Sequence, residues 1–160
     1  MTKPRAATAA ALRQGRQYFF VEGVPATKGS TRSFVNHKTG RVVTWADNRD
    51  KQKAWAEKIM LKAKQKQIKK ADKAVAIEIK FHLPEPKSFR NAKGNRKPSA
   101  PKWHTKKPDL DKLIRCVLDA LTGIAWNDDS QVVRIIARKD YSSVNNAVSN
   151  CGAFIEIESE

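Results

Sequence analysis

Acids are scarce in this chain, 16 Asp and Glu against 32 Lys and Arg, yet the stretch KKPDLDKLIRCVLDALTGIAWNDDSQVVRIIARK gathers Asp109, Asp111, Asp119, Asp128 and Asp129. Carboxylates collected in a strongly cationic protein need a reason. One reason is a hard divalent cation, since Mg²⁺ takes one or two carboxylates together with waters and substrate phosphate. Such an ion polarises a scissile phosphate and lowers the pKa of an attacking water. The other reason is local structure. Asp109 and Asp111 stand where a Pro-led loop enters a helix, and acids there cap the helix and complement its dipole. Asp111 and Arg115 are spaced i, i+4 and can form a surface pair. Asn127-Asp128-Asp129-Ser130 is good turn chemistry without any metal. If the approach to the helix is extended, Asp109 and Asp111 point to the same side. If the helix has already begun, they diverge and Asp109 serves mainly as N-cap. The turn carrying Asp128 and Asp129 reaches the helix start only if the strand leaving it lies beside the helix.

The elements that must position these residues follow from patterning. Gln17–Val24 is β-branched and aromatic and reads as a strand. Ser33–Val35 and Arg41–Thr44 flank Asn36–Gly40, a hairpin turn. From Asp47 to Lys69 the pattern is helical, with Trp55, Ile59 and Ala63 as a thin apolar stripe on a basic helix that can offer its other face to phosphates or simply to water. Ala74–Leu83 alternates as a strand. The basic segment 84–107, rich in Pro, Gly, Ser and Lys, is unusually long for a structureless loop in a compact domain; a flap that orders on nucleic acid suits it, an idle linker being the alternative. Asp109–Leu121 is the clearest helix, with Leu110, Leu113, Ile114, Val117, Leu118 and Leu121 on one face, Pro108 before it and Gly123 after it. Val132–Lys139 and Gly152–Glu158 close the chain as two strands, expected to pair. The order β, hairpin, α, β, α, β, β predicts a mixed α/β (α+β) domain, two main helices on a small mixed sheet. Residues 1–16 read as a loose basic arm and 17–160 as one domain.

The formal net charge of +16 narrows the partner. A polyanion relieves the self-repulsion of so basic a chain, and nucleic acid is the commonest. No strongly amphipathic basic helix argues for a membrane surface, and no apolar run is long enough to span a bilayer. Two isolated cysteines, Cys116 and Cys151, make no disulfide framework, which suits a reducing cytoplasm. His37, His82 and His104 lie in no zinc-ligand spacing.

The run KPDLDKLIRCVLDAL, a short gap, and then DDSQVV resembles the RusA family of Holliday junction resolvases of bacteria, phages and prophages. Its pattern is a D-x-D-N-L-x-K helix start, a D-A-L further on, and a D-D-x-Q-V turn into a strand. The match covers about Lys107 to Lys139. The resemblance implies a RusA-like fold, a homodimer on four-way DNA junctions, and paired symmetric nicks made with Mg²⁺ or Mn²⁺ in recombination and repair. It carries catalytic and metal-binding roles onto Asp109, Asp111 and Asp129, with Asp128 as a neighbouring helper for the metal, and it leaves Asp119 structural. The family's Lys falls on Arg115, which keeps the positive charge for a phosphorane-like transition state but cannot give up a proton at working pH. The family's Asn is Lys112 here. Phosphate contacts are expected from Arg96, Lys97, Lys102, Lys106, Lys107, Lys112 and Lys139. Phe89 or Trp103 can wedge into an open junction centre, or Trp103 can anchor the loop to the core. Two other readings stand beside this one: a catalytically silent DNA-binding protein on the same fold, with Arg115 and Lys112 as its marks, and an RNA-binding module whose acids are only caps and turns.

Overall fold

The computed structural model describes residues 15–27, 31–46, 49–142 and 151–159. Its elements are β1 (Arg16–Glu22), β2 (Thr31–Val35), β3 (Val42–Ala46), α1 (Arg49–Gln65), β4 (Val75–Leu83), α2 (Leu110–Leu121), β5 (Val132–Tyr141) and β6 (Gly152–Ser159). This is the expected mixed α+β order. Four strands form one sheet in the order β1-β6-β4-β5, and β2 and β3 form a separate hairpin. The hairpin closes at Asn36–Gly40, where Gly40 at φ +65° donates its N–H to the Asn36 carbonyl at 2.8 Å. Residues 1–14 of the expected basic arm lie outside the described residues, and Arg16 already belongs to β1.

The core lies on one face of the sheet. Alternate residues of β4 (Val75, Ile77, Ile79, Phe81, Leu83) point there, joined by Phe19 and Val21 of β1 and by Ile155 and Ile157 of β6. Trp55, Ile59 and Ala63 of α1 pack against them, as the stripe predicts, and so do Leu113, Val117 and Leu121 of α2. The opposite face is mixed: Arg16 bridges Glu156 (3.0 Å) and Glu158 (3.3 Å), and the Tyr18 and Phe154 rings stack on the same side.

α1 stops earlier than its polar pattern suggests. Gln67 takes a left-handed φ of +52°, and the Ile68 and Gln67 amides donate to the carbonyls of Ala63 (3.1 Å) and Lys64 (2.9 Å). This closes the helix in a Schellman motif with no glycine to announce it.

The expected pairing of the last two strands is not formed. β4 lies between them, antiparallel to β6 and parallel to β5. β4 is the most apolar strand and is buried almost throughout, so it gains most from a neighbour on each side. The connection through α2 returns the chain parallel on one edge of β4 and leaves the other edge to β6. Among the described residues β1 and β5 are therefore the edges of the sheet. Close approach of β1 and β6 depends on Gly152, where an added Cβ would collide with the Val21 carbonyl and the Phe20 ring.

Segment 84–107 is folded against the core. A single 3₁₀ turn at Lys87–Phe89 leads to a small loop in which Asn91 Oδ1 accepts the amides of Lys93 (3.0 Å) and Asn95 (2.9 Å). Glu85 bridges Arg90 at 3.5 Å and Arg96 at 3.3 Å. The Phe89 ring stands edge-on against the buried Tyr141 at 5.2 Å, and His104 packs on the same ring at 4.8 Å. Trp103 anchors the loop through its backbone, in a bridge to Asp140, while its side chain is 49 % exposed. The aromatic ring that fixes the loop to the core is thus Phe89.

Candidate active site

Asp109 occupies the N-cap of α2 with extended φ and ψ, yet its side chain makes no capping hydrogen bond. It forms an exposed pair with Lys112 at 3.2 Å, an interaction of little worth in water. Asp111 lies in the first turn of α2, exposed. The Asp111–Arg115 pair allowed by spacing is not among the ion pairs of the described residues, and Arg115 and Asp119 are both exposed on α2. The capping and pairing roles that could have accounted for these acids are therefore largely unfilled.

The turn after α2 treats its two aspartates differently. Asp128 caps the 3₁₀ turn Asp129–Gln131: its Oδ1 accepts the Ser130 amide at 2.8 Å, completing a capping box with Gln131. The Ser130 hydroxyl and amide hold the Asp128 carboxyl below its ordinary value. Asp129 does no capping. Its Oδ1 accepts the Thr122 hydroxyl and, at 2.9 Å, the indole N–H of the fully buried Trp126. Two neutral donors fix the carboxylate and leave Oδ2 for a ligand. Gln131 secures the turn with its whole amide: Oε1 accepts the Asn127 (2.7 Å) and Asp128 (3.1 Å) amides, and Nε2 donates to the Ala71 (3.2 Å) and Lys73 (3.0 Å) carbonyls. Gln131 is the Gln of the D-D-x-Q-V pattern, whereas Thr122 and Trp126 were not singled out in the sequence. The only signal for those two is their place between the acids, because donors to a carboxylate follow no ligand-like spacing.

Thr122 is the C-cap of α2, so Asp129 sits at the opposite end of the helix from Asp109 and Asp111. From Asp109 to Thr122 the helix advances about 20 Å at 1.5 Å per residue. β5 gives an independent ruler. It starts beside Asp129 and, near its other end, Lys139 Nζ donates to the carbonyls of Lys106 and Pro108, both at 2.7 Å. From Val132 to Lys139 it spans about 23 Å at roughly 3.3 Å per residue. β5 does run back along α2 toward its start, but Asp129 stays at the far end. Among the described residues no three His, Cys, Asp or Glu side chains are placed to hold one metal ion.

Of the expected phosphate-binding residues, Lys97, Lys102, Lys106 and Lys107 are exposed, and the Lys102 ammonium lies over the Trp103 ring at 4.9 Å. The Arg96 guanidinium is engaged by Glu85 and by the carbonyls of Ala100 and Pro101. Lys139 is spent on the backbone just before Asp109, which makes it a positioning residue for the start of α2.

A family model described as endodeoxyribonuclease RusA matches residues 23–149. A protein of Bacillus subtilis (strain 168) named as the uncharacterized protein YqaN is 41% identical over 71 residues. That stretch is 42% of this chain and 49% of the relative, so the chain spans about half the length of the relative it matches. The family match takes in α1, both acidic ends of α2 and β5, and the chain belongs to the RusA endodeoxyribonuclease family.

Proposed function

We propose that the protein is a Mg²⁺-dependent endonuclease that nicks four-way DNA junctions as a homodimer, in the cytoplasm of a bacterial or phage-infected cell. The observation that carries the reading is that, in a chain of net charge +16, Asp109 makes no side-chain capping hydrogen bond, Asp111 stands exposed in the first turn of α2, and Asp129 is oriented by two neutral donors on Oδ1 alone. Exposed carboxylates with open oxygens fit a hard cation, and Mn²⁺ suits the same oxygens. When bound, the ion supplies charge stabilisation to the phosphate and a more acidic water. Asp129, oriented by Thr122 and Trp126, offers one oxygen in a fixed direction. Arg115, one turn beyond Asp111, adds positive charge for the developing phosphorane without exchanging a proton. Lys97, Lys102, Lys106 and Lys107 hold the DNA backbone without reading its sequence.

The 20 Å separation within one protomer supports the dimer. Mg²⁺ requires its ligands at about 2 Å, so the two ends of α2 cannot serve one ion together. β5 is an exposed edge with Val133 at 64 %, Ile135 at 42 % and Ile136 at 53 % exposure, a long apolar edge of the sort that pairs. Antiparallel pairing of β5 with its copy about a two-fold near Ile135–Ile136 sets the start of one strand against the end of the other. The partner's Asp129 then approaches the place where Lys139 holds Pro108, beside Asp109 and Asp111. Two identical composite sites result, suited to a junction of approximate two-fold symmetry.

The test is cleavage of a synthetic four-way junction and of a linear duplex, with and without Mg²⁺. Symmetric nicks in the junction alone, only with metal, are expected. Tight junction binding without nicking in Mg²⁺ and Mn²⁺ alike would overturn the catalytic reading in favour of a silent DNA-binding protein, with Arg115 and Lys112 as the first suspects. A preference for RNA would overturn the DNA reading itself.

A further inference from the structure

The second edge of the sheet, β1, borders a groove of about 560 Å³ between the strand and α1. Its lining is mainly apolar, with the Tyr18 and Phe154 rings stacked at 6.1 Å and the exposed Leu61 beside them. Three lysines, Lys58, Lys62 and Lys66, line the same groove. They stand four residues apart along α1 and the turn that ends it, and so form one row. None of them is in an ion pair among the described residues. Glu22 is the one acid of the lining.

The strand itself offers hydrogen bonds. The Gly23 amide donates to the Cys151 carbonyl at 2.9 Å, in register with the β1–β6 pairing. Backbone groups of an antiparallel strand alternate sides, so Phe19 and Val21 face β6 while the N–H and C=O of Tyr18 and Phe20 face the groove. An open edge strand flanked by a helix accepts an extended peptide as an added strand. The lysine row fits such a guest: four helical residues rise about 6 Å and two extended residues span about 6.6 Å. Acids at alternate positions of the guest keep step with Lys58, Lys62 and Lys66, while the side chains between them reach the Tyr18–Phe154 face.

We infer that the β1–α1 groove is a docking site for an extended peptide of a partner protein with acidic residues at alternate positions, which pairs with Tyr18 and Phe20 as a fifth strand. This goes beyond the nuclease reading and does not depend on it. A single DNA strand would also suit the lysines, but it cannot satisfy alternating backbone donors and acceptors. The chain's own residues 1–14 contain Lys3, Arg5 and Arg13 and no acid, the wrong charge for this row.

The probe is a fluorescein-labelled peptide of alternating glutamate and valine, compared with an alternating lysine–valine peptide and an oligothymidylate of equal negative charge. The glutamate peptide alone should raise the anisotropy and slow hydrogen exchange at the Tyr18 and Phe20 amides. Lys62→Glu combined with Lys66→Glu should weaken it about tenfold. Tyr18→Pro removes an outward N–H without touching the β6 ladder and should weaken it likewise; the lysine variants decide the matter if this one fails to fold. Binding of the oligonucleotide in place of the peptide would overturn the proposal in favour of a nucleic-acid site. Binding that leaves Tyr18 and Phe20 exchange unchanged would reduce it to charge attraction. Absence of binding by any probe, or peptide binding that appears only after residues 1–14 are removed or after a dimer dissociates, would show the edge empty or already occupied by the chain itself.

Discussion

Asp128 and Asp129 are neighbours of the same chemistry, and their surroundings give them opposite work. Asp128 holds a turn; Asp129 is held. Asp129→Asn should therefore keep junction affinity within about twofold and lower nicking by roughly 10²-fold or more, read as kcat at saturating junction. Equal nicking by the variant would remove Asp129 from the site. Trp126→Phe keeps the buried ring but loses one donor to Asp129, and should reduce nicking by about tenfold while leaving the fold intact by circular dichroism. Asp128→Ala is expected to lower thermal stability and spare the chemistry. Its carboxyl titrates below its ordinary value, so the cap is fully present at neutral pH and is lost only as the pH falls below 3.8 toward the lowered value. The motif spacing made the aspartates legible. It could not say which of the adjacent pair caps the turn, because both would suit it, and it was blind to Thr122 and Trp126, whose role exists only once the helix end and the turn meet.

At the scale of elements, periodicity made both helices and every strand legible within a few residues. What it missed was decided by long-range competition. Consecutive strands pair often enough that β5 with β6 was the natural expectation, and only the burial of β4 on both sides overrules it. Composition could not place segment 84–107, whose contacts are Glu85 bridging two arginines and two rings on Tyr141, none of them periodic. The His104 side of that clasp is pH-sensitive. Burial, and then Lys139, lower the pKa of His104 below 6.5, so the folded clasp prefers the neutral ring. Its contribution is complete above 6.5 and declines as the pH falls below that value toward the lowered pKa. Limited proteolysis within 84–107 should accelerate between pH 7 and 5.5, and His104→Phe should flatten that rise. A packing prediction belongs here too. Gly152→Ala should destabilise the domain by about 1–3 kcal/mol in chemical denaturation, since Phe20 and the β1 backbone must yield.

At the scale of the molecule, the composite-site arrangement makes a prediction that a self-contained site does not. Asp109→Asn and Asp129→Asn proteins, each inactive alone, are mixed and allowed to exchange subunits. If the two ends of α2 belong to different sites, a mixed dimer carries one intact centre and one doubly damaged centre. Nicking should then reappear, one strand at a time, in proportion to the mixed dimers, about half of all dimers under random exchange, each with one of its two centres intact. A mixture as dead as its components would place all the carboxylates of a site in one subunit and remove β5 pairing as the means of assembling it. The sequence pointed to the dimer by resemblance only; the separation of the acids along α2 is what the subunit-mixing experiment puts to the test.

α2 and β5 are two rails laid side by side and tied at both ends, by the Asp129–Thr122 contact at one and by Lys139 at the other. Rails so tied must change length together. One more helical turn adds about 5.4 Å, which β5 matches only with close to two more residues. An insertion in either rail alone would pull one tie apart and, in the proposed dimer, shift the gap between the two composite sites. Relatives of different size should therefore vary in their loops and keep this pair of lengths in step.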